Sequence, residues 1–480
     1  MSTPPQLPSQ TSSENSSSTA SSSSLVQDER RGSFNYSSSF PVSDSLFDLS
    51  PLPSISPNDS FSAFGLGENT ADWLNIALSE VVQQESVVCT SSDTSIERAS
   101  EYLNEYNYTS IPIQDSSQPK KAEYTAVGNG GILEACSPLH VRYAFDYSDL
   151  NTYLLLVLGH STVDLTRLSE ENQRWLKCAK SGLPVPVQFA ISLQAKEPFE
   201  ILTKDCTLAE AVLVLGRGVH RIMVTNGSAG IFRNDAEDSI NGILSQRRFI
   251  KYIWENGRRF PSLQPLFQAS LHDLNIGNYE KVISIRGDAL VLDALKRLSH
   301  EEVSSLAVVD SQGCLLGNIS VVDVKMLTKS TNAPLLKSTC LTFLNVLLYK
   351  RGLSQGQDSY PVFHVTKHTL LGSAIAKLVA TQAHRLWIVD DGEPEQPNLK
   401  TSFFSGSSSS SASSISEGSE LSRERSKSLT PHMSYKLIGV VSLTDIINRL
   451  GQVAGKRVDP HSVRHQRRRS SIVSVKNLAN

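Results

Sequence analysis

Two stretches decide how the chain reads: GNISVVDV (residues 317–324) and IGVVSLTDIINRL (residues 438–450). In each, an apolar strand-like run ends on a polar residue and passes directly into a helical pattern whose first turn holds an Asp, Asp323 or Asp445. The same strand-to-helix junction occurs earlier as DYSDL (146–150) and SQRRF (245–249). Internal recurrence of this kind points to a repeat architecture before any element is assigned.

Working outward, each junction is preceded by an amphipathic helix and a first apolar strand. The strands open at Thr109 (TSIPIQD), His220 (HRIMVTNG), Ser304 (SSLAVVDSQG) and His384 (HRLWIVDDG). The helices begin at Thr94, Thr207, Ala289 and Thr369, so three of the four offsets are 15 residues and the second is 13. Thr207 with Glu210 forms a capping-box pattern at the start of the second helix. From strand opening to the fourth junction residue the distances are 40, 28, 19 and 61. The third unit is therefore the minimal form, and the excess in the fourth is a Ser-rich insertion at a hairpin, where added chain costs little.

These units predict an organisation. A Ser/Pro-rich arm covers 1–68 and an amphipathic helix 69–84. Repeats follow at 85–165, 190–260, 272–330 and 358–450, the last with an insert at 391–434, and a basic tail covers 451–480. Residues 1–50 hold 18 Ser and residues 401–420 hold 11, too polar to offset chain entropy, so arm, insert and tail are expected to be disordered. Trp73, Leu74, Ile76, Leu78 and Val81 recur at helical spacing, which suits a helix docked on the body better than one reserved for a partner.

Of 480 residues, 45 are Lys or Arg and 48 are Asp or Glu, a formal charge of −3. The last thirty carry seven basic residues against Asp459, a net of +6 that leaves −9 for the rest. An acidic body argues against a nucleic-acid-binding core. No secretory signal pattern opens the chain, and the purest apolar run, Leu154 to Leu158, is too short for a bilayer. The six Cys show no C-x-x-C pair or disulfide spacing and read as reduced thiols of an intracellular protein. His364 with His368, and His461 with His465, lack further ligands, so no metal is expected. No nucleophile elbow, phosphate-cradling Gly loop or Cys/His dyad is present, which argues against an enzyme.

Four such units in register resemble CBS repeats over about residues 85–450. The resemblance implies an α/β (α+β) fold of four CBS repeats forming two Bateman modules. His220-Arg221 and His384-Arg385, the basic replacement in ILSQRRFIKYI (243–253), and the segment Asp273 to Tyr279 are similar to the gamma subunit of the AMP-activated protein kinase. The Ser-rich arm, the hairpin insert and the RRRSS tail at Arg467 more closely resemble the fungal Sds/Moc family of four-CBS regulators. That resemblance implies control of cell-cycle progression, DNA replication and cell separation through inhibition of type 2A-related Ser/Thr phosphatases, in cytoplasm and nucleus. The gamma likeness implies instead an adenine-nucleotide-sensing subunit of a protein kinase. CBS modules of either kind also imply a candidate homodimer.

The candidate nucleotide-binding residues follow. Asp149, Asp323 and Asp445, with Ser442, stand where a carboxylate can accept from a ribose diol while helix amides face phosphate; capping alone is the competing explanation. His220, Arg221, His384 and Arg385 supply donors suited to phosphate. Arg248 replaces the junction Asp in the second repeat and cannot accept from a diol. Asn107, Tyr108 and Thr109 occupy the place of a gamma-pattern Arg, which lowers the expected affinity for a polyphosphate. AMP, ADP or ATP is thus a candidate regulatory ligand, with no cofactor required. Ser33, Ser426, Ser470 and Ser471 lie near Arg and are candidate phosphorylation sites; phosphorylating the last two would largely neutralise the tail.

Overall fold

The computed structural model describes residues 71–459, except 86, 116–123, 128–130, 135–140, 162, 164, 195–199, 228–239, 281, 356–361, 391–434 and 457. The arm, the Ser-rich insert, most of the tail, His461, His465 and the four candidate phosphorylation sites lie outside the described residues.

Four three-stranded sheets appear in chain order. Their strands are Thr90–Ser91, Ser110–Gln114 and Val141–Asp146; then Glu200–Thr203, Arg221–Thr225 and Ile240–Ser245; then Ser284–Arg286, Ser305–Val309 and Leu315–Ser320; then His364–Thr366, Arg385–Val389 and Leu437–Ser442. In every sheet the middle strand runs parallel to the first and antiparallel to the last. Its first residue pairs with the residue that caps the following helix: Ser110 with Asp146, Arg221 with Ser245, Ser305 with Ser320, Arg385 with Ser442. The register therefore places each strand opening beside a helix N-terminus. The first repeat adds a hairpin, Tyr124–Val127 with Gly131–Glu134.

The unequal offset of the second repeat has a local cause. Its first helix, Leu208–Leu215, has 8 residues, against 10 for Ile96–Glu105, 10 for Val291–His300 and 11 for Leu371–Thr381. It starts on the expected capping box, with Glu210 accepting from the Thr207 amide at 2.6 Å. All four helices then yield to a left-handed residue two positions before the strand opening: Asn107 (φ 52°), Gly218 (99°), Glu302 (51°) and Gln382 (55°). Three of these carry a Cβ that strains the conformation. Glu302→Gly is expected to raise stability by about 0.5–1 kcal/mol, measured by denaturant unfolding.

Packing uses two kinds of contact. Alternation along the strands sends Leu386 and Ile388 toward helices, and Trp387 toward the neighbouring sheet. Sheets meet in pairs: Cys89, Val141 and Met223 join the first and second repeats, and Ala307, Val309 and Trp387 join the third and fourth. Helices pair differently. One core holds Leu208, Val212, Phe249, Leu371, Ile375, Ile446 and Ile447, from the second and fourth repeats. The other holds Leu103, Leu155, Leu295, Leu298 and Val324, from the first and third. Buried amides cross these cores: Gln246 donates to Thr444 Oγ1 at 2.9 Å and Asn151 to the Leu295 carbonyl at 3.1 Å. Both modules thus meet within one chain.

Three expectations need correction. The continuous helix over 69–84 is instead a 3-10 turn, Asp72–Asn75, and a short helix, Leu78–Val81. Its backbone is diverted to the loop before the second repeat's helix, where the Leu78 amide donates to the Cys206 carbonyl and the Leu208 amide to the Ile76 carbonyl. Trp73, Leu78 and Val82 are buried in the core of the second and fourth repeats. The third junction helix is a 3-10 segment, Val321–Met326. Cys178, Cys206, Cys314 and Cys340 are free thiols, but Cys89 is disulfide-bonded, so the reading of six reduced cysteines fails there.

Candidate ligand-binding centre

The junction carboxylates first satisfy their own helices. Asp149 Oδ2 accepts from the Asp146 amide at 2.9 Å. Asp323 Oδ2 accepts from the Ser320 amide at 2.8 Å and its hydroxyl at 2.9 Å. Asp445 Oδ2 accepts the same pair from Ser442, at 2.8 and 2.7 Å. Each is a capping box at the third helical residue. Geometry therefore accounts for these Asp residues as caps, and a ribose contact would be a second duty. Ser442→Ala is expected to cost about 1 kcal/mol in denaturant unfolding whether or not ligand is present.

The His-Arg pairs converge. Because Arg385 shares a face with Trp387, it points at the third repeat, donating to the Ser304 hydroxyl at 2.5 Å and to the Ser305 carbonyl at 3.3 Å. Arg221 makes the equivalent reach to the Thr109 hydroxyl of the first repeat. Thr109 thus gives an acceptor where the gamma-like pattern has a cation. His384 feels the positive fields of His220, Arg221, Arg247 and Arg385 together, which brings both modules to one place.

Loss of solvation, and then the fields of His220, Arg221, Arg247 and Arg385, push His384 down to about 4, so it is neutral at pH 7. Its ring keeps exposed surface although protein crowds around it, as do His220 and Arg247. Three arginines gathered around a neutral imidazole, with surface open to water, make a centre suited to an anion.

Arg247 belongs to this centre and was overlooked beside Arg248 in SQRRF. It sits in the first turn of the helix Gln246–Glu255 and donates to Gln382 Oε1, across the module boundary, at 3.4 Å. Arg248 points elsewhere. Its guanidinium forks onto Glu85, Nη1 to Oε1 at 2.9 Å and Nη2 to Oε2 at 2.8 Å, and Nη1 also donates to the Ile243 carbonyl at 2.8 Å. Glu85 also accepts from the Ile243 amide at 3.0 Å. Burial acts against the Glu85 charge, but these bonds outweigh it and hold the carboxyl below its ordinary range. Among the described residues no group of three or more His, Cys, Asp or Glu is placed to hold a metal. No helix among them is long and apolar enough to cross a membrane.

Comparison with known proteins gives these features a family. The profile described as CBS domain matches residues 276–327, the third repeat. Protein SDS23 of Yarrowia lipolytica is 44% identical over 406 residues, spanning 84% of this chain and 72% of that protein. The chain belongs to the SDS23 family. Protein sds23 of Aspergillus niger is 38% identical over 452 residues, 90% of this chain and 81% of that protein. Among solved structures, protein MJ1225 of Methanocaldococcus jannaschii is similar at 14% identity and a TM-score of 0.47, over 78% of this chain and 99% of that one. The SDS23-family chain is thus a CBS-domain regulatory protein of mixed α/β fold, and its four sheets are the four CBS repeats.

Proposed function

We propose that this SDS23-family protein is a non-enzymatic regulator that binds and inhibits type 2A-related Ser/Thr phosphatases, with AMP, ADP or ATP as a ligand that sets its state. Through that inhibition it acts on cell-cycle progression, DNA replication and cell separation, in cytoplasm and nucleus. The phosphatase part rests on the family resemblance. The ligand part rests on one observation: His220, Arg221, Arg247, His384 and Arg385 gather where the two modules meet. In that arrangement the arginines and the histidine N–H groups donate to phosphate, while Asp323 and Asp445, with Ser442, stand ready for the ribose of a nucleotide. Asp149 is the weaker counterpart in the first repeat.

The test adds purified protein to a type 2A phosphatase catalytic subunit and follows dephosphorylation of a phosphopeptide, with and without each nucleotide. Inhibition supports the reading, and undiminished turnover at saturating protein overturns the phosphatase part. Calorimetry with AMP, ADP and ATP judges the ligand part separately, since absence of heat at millimolar nucleotide removes it. A second reading, the gamma-type kinase subunit, is favoured by the alternation of the His-Arg pairs in the second and fourth repeats. It requires a kinase to co-purify with the protein.

A pH dependence follows from His384. Its pKa is below the unfolded value near 6.5, so between about 4 and 6.5 the unfolded chain binds more protons. Stability without ligand should therefore fall as pH drops from 6.5 toward 4. A bound polyanion offsets the positive field of Arg221, Arg247 and Arg385 and raises the His384 pKa, so affinity for ATP should increase from pH 7 to pH 5. Calorimetry in buffers of different ionisation enthalpy should detect the accompanying proton uptake, which His384→Gln should abolish.

A further inference from the structure

Glu85 lies five residues before the first strand of the first repeat, and Tyr279 lies five before the first strand of the third. Both segments cross the last strand of the following repeat at its glycine. A Cβ on Gly242 would lie 2.7 Å from Val82 Cγ1 and 2.9 Å from Glu85 Oε1, and one on Gly439 would lie 2.9 Å from the Tyr279 ring. The fourth repeat thus places a phenol ring over its glycine and a carboxylate, Asp445, at the helix start. The second places a carboxylate over its glycine and a guanidinium, Arg248, at the helix start.

In the second repeat three donors share one target, although Arg248 Nη1 also donates to the Ile243 carbonyl. Both nitrogens of the Arg248 fork and the Ile243 amide converge on the Glu85 carboxylate. The segment carrying it is held by the Glu85 amide on the Asn241 carbonyl at 2.9 Å and by Asn241 Nδ2 on the Val82 carbonyl at 2.6 Å. Both charged side chains keep about a third of their surface exposed, so water and small ions can reach them.

We propose that the second repeat contains a small oxyanion site, built from the Arg248 fork and the Ile243 amide, whose resident occupant is the chain's own Glu85. The ligand class it takes is a carboxylate or phosphate oxyanion, matched to the planar fork. The site is separate from the central cations, and its ligand need not be a nucleotide. Glu85 closes it and at the same time fastens the segment 82–85 to the repeat.

The experiment removes the occupant and supplies it from solution. Glu85→Ala should melt about 2 °C below the parent chain. Sodium acetate or inorganic phosphate at tens of millimolar should restore most of that shift, against sodium chloride at equal ionic strength. Recovery with acetate alone or with phosphate alone tells which oxyanion the seat prefers, and either supports the proposal. The parent chain and the double variant Glu85→Ala, Arg248→Met should not respond. Glu85→Gln, which keeps the shape and loses the charge, serves if the alanine variant folds poorly and should give the same recovery at lower amplitude. No oxyanion-specific recovery in either single variant, or equal recovery in the double variant, overturns the proposal. Nucleotide binding at the centre enters none of these readouts.

Discussion

Phe249→Ala is expected to lower the unfolding free energy by about 3–5 kcal/mol, the range for truncating a fully buried Phe. Phe249 is 0% exposed and lies in the core shared by helices of the second and fourth repeats. Trp73 meets it edge-on with ring centroids 6.1 Å apart, so the cavity would open under the segment that precedes the first repeat as well. The loss falls in a core to which helices of both modules contribute. Denaturant unfolding should show the midpoint falling by this amount. Phe249→Leu, which keeps more of the volume, should lose far less. A cost below about 1 kcal/mol for the alanine variant would mean that Phe249 does not anchor this core.

Removing Arg221 and Arg385 together is expected to weaken ATP binding about 100-fold or more. Each supplies a charge-assisted bond at the centre worth about 1.5–3 kcal/mol, and a factor of ten corresponds to about 1.4 kcal/mol. Arg221 donates to the Thr109 hydroxyl and Arg385 to the Ser304 hydroxyl and the Ser305 carbonyl, neutral groups that lose a bond without being left as unpaired charges. Thermal stability without nucleotide should consequently move little, because relief of repulsion among the cations offsets the lost bonds. Affinity for AMP, with fewer charges, should fall less than that for ATP. Calorimetry on the double variant and on Arg221→Lys, Arg385→Lys separates charge from the geometry of the fork. A double alanine variant that binds ATP as well as the parent would exclude these arginines from the site.

Much of the fold was legible because repetition checks itself. Each repeat's strand opening pairs with its own junction, so a correct junction at Ser442 fixes the partner at Arg385. The shorter offset in the second repeat was a shorter helix and not a shifted register. The turn at residues 107, 218, 302 and 382 was less legible, since only Gly218 and Asn107 are residue types that favour a positive φ, and Glu302 and Gln382 carry no such mark. The segment 69–84 misled for a tertiary reason. Its apolar spacing is helical, but the loop before Leu208 takes over its backbone bonds.

At the centre, the His-Arg pairs were visible by recurrence. Arg247 was masked by the more conspicuous Arg248 next to it. Glu85 could have been found only by aligning the segments ahead of the first and third repeats, where it answers to Tyr279. The junction Asp residues were visible, but their capping bonds show why such a position is ambiguous: helix start and ligand contact call for the same carboxylate.

The pairing of the repeats also bears on how the chain reaches its native state. Sheets join first to second and third to fourth, whereas helices join first to third and second to fourth. The second and third repeats, adjacent in sequence, therefore have neither of these interfaces in common. The connector between them carries Phe260, Leu263, Leu266 and Phe267 into the helical core instead. During synthesis, N-terminus first, the completed first two repeats have their helical faces uncovered until partners from beyond residue 290 emerge. Contacts such as Asn448 Nδ2 with the Gly216 carbonyl close loops of more than two hundred residues. Such separations favour slow final assembly, and they make the half-made chain the state in which a chaperone would find most apolar surface.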